Sequence, residues 1–185
     1  GKVAEEIKSG FACGKSEKEN GDILHIRPMN ITTSGKLTLE GSKYILNDFI
    51  KNKKDYLIKK GDVLFNNTNS KELVGKTCFV NNDIDAVFSN HITRIRTKNN
   101  CDPEYLSLII YSLWNDGLFL KLCNKWVGQA GIGISELLKI KIPLPPLEIQ
   151  KQLVAEMEKQ EKIIEANKQL IEIMEQKITE VLSEI

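Results

Sequence analysis

Gly75-Lys76-Thr77 ends the stretch LFNNTNSKELVGKT (Leu64–Thr77), and the same triplet closes a nucleotide-binding P-loop. That loop wraps backbone N–H groups around phosphates, so it needs another glycine at the place Ser70 occupies here. Glu72 would also set a carboxylate in the cradle, and Cys78-Phe79-Val80 reads as strand where a helix should follow. ATP binding is not expected. The stretch offers something else: Asn66, Asn67, Thr68, Asn69, Ser70 and Lys71 in succession, a row of side chains able to hydrogen-bond a different polyanion.

Two further stretches share that character. His25–Lys36 carries Arg27, Asn30, Thr32, Thr33 and Lys36. Lys125–Ser135 carries Gln129 among Gly128, Gly131 and Gly133, which let a backbone come close to a surface. Arg and Lys reach the edges of guanine, Asn and Gln those of adenine, and hydroxyls meet phosphate. Such loops set between strands suit a surface that reads duplex DNA. Turn chemistry alone accounts for any one of them, since Asn, Ser, Thr and Gly are common turn residues.

Catalytic and metal-binding patterns are not read. Cys13, Cys78, Cys101 and Cys123 are far apart, form no Cys-x-x-Cys pair, and have only His25 and His91 for company. The expectation is reduced, buried thiols in a cytoplasmic protein, structural histidines, no metal and no cofactor. Lys51, Lys53, Lys54, Lys59 and Lys60 suit either a solvated face or a stripe facing phosphates. Trp114 and Trp126 read as core or half-core.

These loops need a frame. A chain of 185 residues, 41% hydrophobic and 28% charged, can build one core and carry an appendage. No apolar run approaches the roughly 20 residues that span a membrane, and no stretch reads as a signal peptide. Residues 1–146 hold 21 Lys/Arg against 16 Asp/Glu, a net +5, whereas residues 147–185 hold 5 against 9, a net −4. A basic body beside an acidic helix is compatible with nucleic-acid binding without requiring it.

Residues 1–146 read as one mixed α/β domain. Val3–Lys8 suggests a short opening helix, and Asp22–Arg27, Asp62–Phe65, Lys76–Val80, Val87–Phe88 and His91–Arg96 suggest strands. Asp102 should cap a helix with Pro103 in its first turn, burying Leu106, Ile109, Ile110, Leu113 and Leu120.

IPLPPLEIQ (Ile142–Gln150) is a hinge, because its prolines hold the chain extended and Pro146 suits the start of a helix. From Leu147 to Ile185 there is neither Gly nor Pro, which predicts a rod of roughly 58 Å. Spacings of four and three run through Leu153, Met157, Gln160, Ile164, Asn167, Ile171, Met174, Ile178, Val181 and Ile185, the seam of a coiled coil. Ile163 and Leu170 widen the apolar face, so the helix needs a partner.

IKIPLPPLEIQKQLVAEMEK (Ile140–Lys159) resembles the end of a target recognition domain in the specificity subunits of type I restriction–modification systems. YLIKKGDVLFNNTNSKELVGKTCFV, FSNHITRIR and GQAGIGISELLKIKIPLPP resemble successive upstream parts of that domain, in the same order. The resemblance implies an α/β target recognition domain followed by a long coiled-coil helix. It implies a non-catalytic subunit that reads one half of a bipartite double-stranded DNA target and docks methyltransferase subunits. The DNA-facing positions would be Arg27, Asn30, Asn66, Asn67, Thr68, Asn69, Lys71 and Gln129, with Lys76 at their edge. A full subunit of this family has two such domains and two such helices. One of each here suggests a half-subunit or a fragment, and an antiparallel homodimer through Leu153, Met157, Ile164, Asn167, Ile171, Met174, Ile178 and Val181. The alternatives are the recognition segment of a single-chain restriction–methylation enzyme and a coiled-coil interaction protein with no DNA role.

Overall fold

The computed structural model describes residues 1–183, except the side chains of Lys15 and Trp126. The expectations for Ile185 in the seam and for the Trp126 side chain therefore lie outside the described residues. Strands β1 (Ala4–Ser9), β2 (Ile23–Ile26), β3 (Lys43–Ile45), β4 (Val63–Asn66), β5 (Thr68–Asn69), β6 (Thr77–Phe79), β7 (Ala86–Phe88) and β8 (Ile92–Thr97) precede the helices α1 (Pro103–Asn115) and α2 (Leu118–Leu122). Strands β9 (Asn124–Trp126) and β10 (Gln129–Gly131), helix α3 (Ile134–Leu137) and the long α4 (Leu147–Ser183) complete the chain.

Val63-Leu64-Phe65 is apolar at every position because β4 is covered on both sides. It lies inside an antiparallel sheet of order β1-β8-β4-β6, with Val63 opposite Phe79 on one side and Ile95 on the other. Val63 and Phe65 pack with Leu106 and Ile110 of α1 and with Phe119 of α2, whose ring meets Phe65 edge-on at 5.3 Å. Leu64 points the other way, to Ile26, Cys78, Phe88 and Ile92. A second sheet, β3-β2-β7, supports that face.

The opening segment corrects one expectation. Val3–Lys8 is not a helix; β1 pairs with β8 and sets Ile7 opposite Ile95. Its pairing with a strand some ninety residues later overrides the local helix preference of Ala4-Glu5-Glu6. Helix α1 does start as the sequence indicates, with the Asp102 carboxylate accepting from the N–H groups of Glu104 and Tyr105, both at 3.0 Å. It ends at Gly117, whose φ of +72° is left-handed, so Leu120 belongs to α2 and is exposed rather than part of the α1 face.

Charge is buried at the centre of the sheet. The Arg94 guanidinium donates to Glu6 and, at 2.6 Å, to the Leu57 carbonyl, while Arg96 donates to Asp62 at 2.7 Å and Glu6 at 3.2 Å. Burial alone would raise the Glu6 carboxyl, but Arg94, Arg96 and Lys8 outweigh it and hold the group below the usual carboxylate range.

Gln150 seats α4. Its fully buried amide accepts from the Asp102 N–H at 2.8 Å and donates to the carbonyls of Asn100 at 3.1 Å and Pro145 at 2.7 Å. Tyr105 Oη also donates to the Pro143 carbonyl at 3.2 Å, which fixes the proline segment against α1. Beyond this seat most of the side chains of α4 are exposed, although Glu161 still reaches Lys36 of the body. Among the described residues no helix is long and apolar enough to cross a membrane.

Candidate nucleic-acid interface

The central sheet has two unlike ends. At one, Lys98 N–H bonds Val3 and the chain runs on to Asn100 and the Gln150 seat. At the other, Ser9 faces Thr93 and Asn66 faces Ile92, so the turn at Ser89–His91 and the loop leaving β4 emerge together. This second end carries the ribbon β5-β10-β9, in which Ala130 pairs with Asn69 and Gly131 with Thr68. Two of the three polar stretches, some sixty residues apart in sequence, are thus hydrogen-bonded neighbours.

Within the ribbon, Gln129 and Lys125 are exposed, and Val127 at the hairpin tip is fully exposed beside Gly128, whose φ of +76° makes the turn. Lys71 and Ser70 are exposed next to β5, while Thr68 and Asn69 are half-buried. Asn90 is exposed and His91 half-buried on the adjacent turn. Gly131 is buried in the ribbon and Gly133 precedes α3, so of the three glycines Gly128 alone forms the tip.

The asparagines divide sharply. Asn67 is buried; its amide donates to Thr93 Oγ1 at 2.9 Å and to the Asn90 carbonyl at 3.1 Å, tying the loop after β4 to the turn before β8. Thr68 Oγ1 donates to the Asn67 side-chain oxygen at 2.8 Å. Asn66 is fully buried and donates to the Leu73 carbonyl at 2.9 Å, closing the loop from residue 66 to residue 76. Asn30, fully buried, accepts from the Arg27 N–H at 3.0 Å and donates to the carbonyls of Thr38 at 3.0 Å and Glu40 at 3.3 Å. In this conformation none of these three amides faces solvent. They fix backbone, because a buried carbonyl without a donor is costly.

Arg27 stands apart from the ribbon. Its guanidinium donates to Glu17 at 3.2 Å and to the Gly41 carbonyl at 2.9 Å, on the loop that closes over β2. Lys36, at the end of the same stretch, pairs with Glu161 of α4 at 2.9 Å, and this contact raises the lysine pKa.

Lys76 is not at the edge of a surface. It is buried, and its ammonium donates to the carbonyls of Pro28 at 3.2 Å and Ile31. Burial lowers its pKa, and no phosphate could reach it without displacing that loop. Gly75 beside it has φ +97°, and a Cβ there would lie 2.4 Å from the Phe119 ring. The Gly-Lys-Thr triplet is therefore a packed turn, with Thr77 Oγ1 donating to the Gly75 carbonyl at 2.9 Å.

On α4, Leu153, Met157, Ile164, Ile171, Met174, Ile178 and Val181 are all exposed, from 45% to 59% of their full area, as is Asn167. Ile163 and Leu170 are likewise exposed beside them. Trp114 is half-buried, with its indole N–H donating to the Glu72 carbonyl at 3.1 Å. Sequence reasoning missed Lys125 and Val127 as surface residues. The signal was present, since Val127 and Gly128 form the hairpin turn and Lys125 lies just before it, but the partner strand β5 lies too far away in sequence to be seen.

Residues 3–176 match the family model described as the type I restriction modification DNA specificity domain. A protein of Methanocaldococcus jannaschii assigned as the type I restriction enzyme MjaX specificity subunit is 26% identical over 153 residues, covering 82% of this chain and 36% of that protein. The fold is shared with a chain from a structure of type I restriction–modification complex assembly and conformational transition (20% identity, TM-score 0.62, 87% of this chain and 37% of that one). It is also shared with the HsdS subunit from Thermoanaerobacter tengcongensis (19% identity, TM-score 0.59, 87% and 36%). The chain thus spans about a third of the length of these relatives.

Proposed function

This chain belongs to the type I restriction modification DNA specificity domain family, and on that premise we propose that it reads a short duplex sequence through the β5-β10-β9 ribbon. It is a specificity domain without catalysis of its own, so the methyl-transfer and cleavage chemistry belongs to partner subunits. The observation that carries the reading is the convergence of Thr68–Lys71 with the Lys125–Gln129 hairpin on one exposed ribbon. The two-stranded β9–β10 hairpin at the edge of this ribbon fits the major groove, where Gln pairs with adenine, Lys with guanine or phosphate, and an apolar tip such as Val127 meets a thymine methyl.

The same proposal assigns Gln129, Lys125, Val127, Asn69, Thr68 and Lys71 to the DNA, with Asn30, Asn66 and Asn67 as the buried ties that shape the loops. Arg27 takes no part in the ribbon. Helix α4 docks a second copy in antiparallel fashion through Leu153, Met157, Ile164, Asn167, Ile171, Met174, Ile178 and Val181. A two-fold pair uses one patch twice and would set two ribbons on two half-sites of an interrupted palindrome. Methyltransferase subunits would dock on the assembled rod.

Competition binding tests the DNA reading. The chain should prefer a selected duplex over random duplex, with affinity that falls as salt rises. Gln129→Ala should narrow that preference and Lys125→Ala should flatten the salt dependence. Equal retention of all duplexes by wild type and both variants would rule the ribbon out.

A further inference from the structure

A cluster formed by β2 and the segment before it has a chemistry that DNA reading does not use. Cys13, Glu17 and His25 bring a sulfur, a carboxylate oxygen and an imidazole nitrogen together. Cys13 Sγ lies 3.5 Å from Glu17 Oε1 and 3.6 Å from His25 Nδ1, and the Nδ1–H donates to Glu17 Oε1 at 2.8 Å. His25 is fully buried on β2, with Phe11 packed near its ring at 5.5 Å. The turn at Gly14–Ser16 folds Cys13 and Glu17 back onto the same side.

These distances match a coordination polyhedron. Zn–S of about 2.3 Å and Zn–N or Zn–O of about 2.0 Å in a tetrahedron give sulfur edges of about 3.5 Å and an N–O edge of about 3.3 Å. Both sulfur edges are already at that length, and the third is drawn in by its hydrogen bond. The donor set also selects the ion. Calcium and magnesium take oxygen ligands almost alone, whereas zinc accepts thiolate, imidazole and carboxylate together. Glu17 keeps its other oxygen on Arg27, at 3.2 Å, so Oε1 is the atom left for a metal.

We propose that Cys13, Glu17 and His25 form a mononuclear Zn2+ site, with three protein ligands and a fourth position open towards solvent on the Cys13–Glu17 side. On loading, the Cys13 thiol gives its proton to solvent and binds as thiolate. The His25 ring proton moves from Nδ1 to Nε2, a buried atom with no hydrogen-bond partner among the described residues, and Nδ1 binds the metal in place of its bond to Glu17. The ion then joins the segment from residue 11 to residue 17 to β2 through bonds from separate elements, a staple that favours the folded chain. The sequence reading passed over this site because it sought cysteine pairs and left the carboxylate out.

The test is Co2+ and Zn2+ titration of the full chain. One equivalent of Co2+ should produce the near-ultraviolet thiolate-to-cobalt charge-transfer band, and Zn2+ should displace it and raise the unfolding midpoint. Cys13→Ser should abolish the band while far-ultraviolet circular dichroism stays native. Glu17→Gln should weaken Zn2+ by more than about 100-fold, since even partners behind the ligands are worth 10–100-fold. A native chain with no band, a band that survives Cys13→Ser, or unaltered Zn2+ affinity in Glu17→Gln would each overturn the site. DNA binding is scored separately, so failure here leaves the ribbon untouched.

Discussion

The body and the rod invert each other. The body buries polar and charged groups: Arg94, Asp62, Lys76, Asn30, Asn66 and Asn67. Helix α4 exposes apolar ones, from Leu153 to Leu182. A buried polar group with partners fixes one geometry, because any rearrangement strands a donor or a charge. An exposed apolar stripe fixes nothing until another surface covers it. The body packs its polar groups against partners within the chain, whereas the stripe on α4 is open to solvent.

The largest effect should come from breaking the body. Arg94→Ala leaves Glu6 and the buried Asp62 with less positive charge, and removing one partner of a buried ion cluster costs about 3–5 kcal/mol. Urea denaturation should show it, and a loss under about 1 kcal/mol would mean that Arg96 takes over the pairing. Gln150→Ala should cost about 1–3 kcal/mol by stranding the Asp102 N–H and two carbonyls. Amide exchange should rise at residues 100–102 and 145–150 and not in β4; uniform protection would contradict the seat.

The rod should respond in the opposite way. Ile164→Glu with Ile171→Glu touches no body contact, so the unfolding midpoint should move by no more than about 0.5 kcal/mol equivalent. Sedimentation equilibrium should nevertheless change from dimer to monomer. An unaltered dimer would place the interface elsewhere. The ribbon sits between these extremes: Gln129→Ala should leave stability unaltered and cost about 1–3 kcal/mol of discrimination at a single base pair.

The smallest effect is one of pH. The Glu6 carboxyl lies below its ordinary value in the fold, so its contribution is present above the usual carboxylate range and is lost as pH falls through the lowered value. Glu6→Gln should therefore lower stability modestly at neutral pH and make the acid-side loss less steep, so that the two proteins converge as pH falls through the lowered value. Equal acid transitions in both proteins would remove Glu6 from the linkage.

What could be read in the sequence was local. The apolar run at Val63-Leu64-Phe65, the Asp102-Pro103 cap and the proline hinge each state their structure within a few residues. The opening segment was misread because β1 depends on β8, far along the chain. The ribbon was unreadable for the same reason, since nothing near Asn69 points to Ala130. Asn66, Asn67 and Asn69 are identical in type and nearly adjacent. Which of them turns inward is decided by carbonyls at Leu73 and Asn90, contributed by other turns.

The Gln150 seat has a mechanical consequence. Helix α4 is about 55 Å long at 1.5 Å per residue, and it meets the body in its first half, at the Gln150 seat and the Lys36–Glu161 pair. A tilt of about 5° at that joint would carry the far tip through about 5 Å over such a length. Successive bases along a strand are about 3.4 Å apart, so that swing exceeds one step of the duplex. In a pair of chains joined along their rods, slack at one glutamine would become an error in which base each ribbon meets. If two chains pair along their rods as proposed, the three hydrogen bonds of Gln150 would act as part of the bearing of a lever, and their stiffness would bear on how accurately two half-sites are held in register.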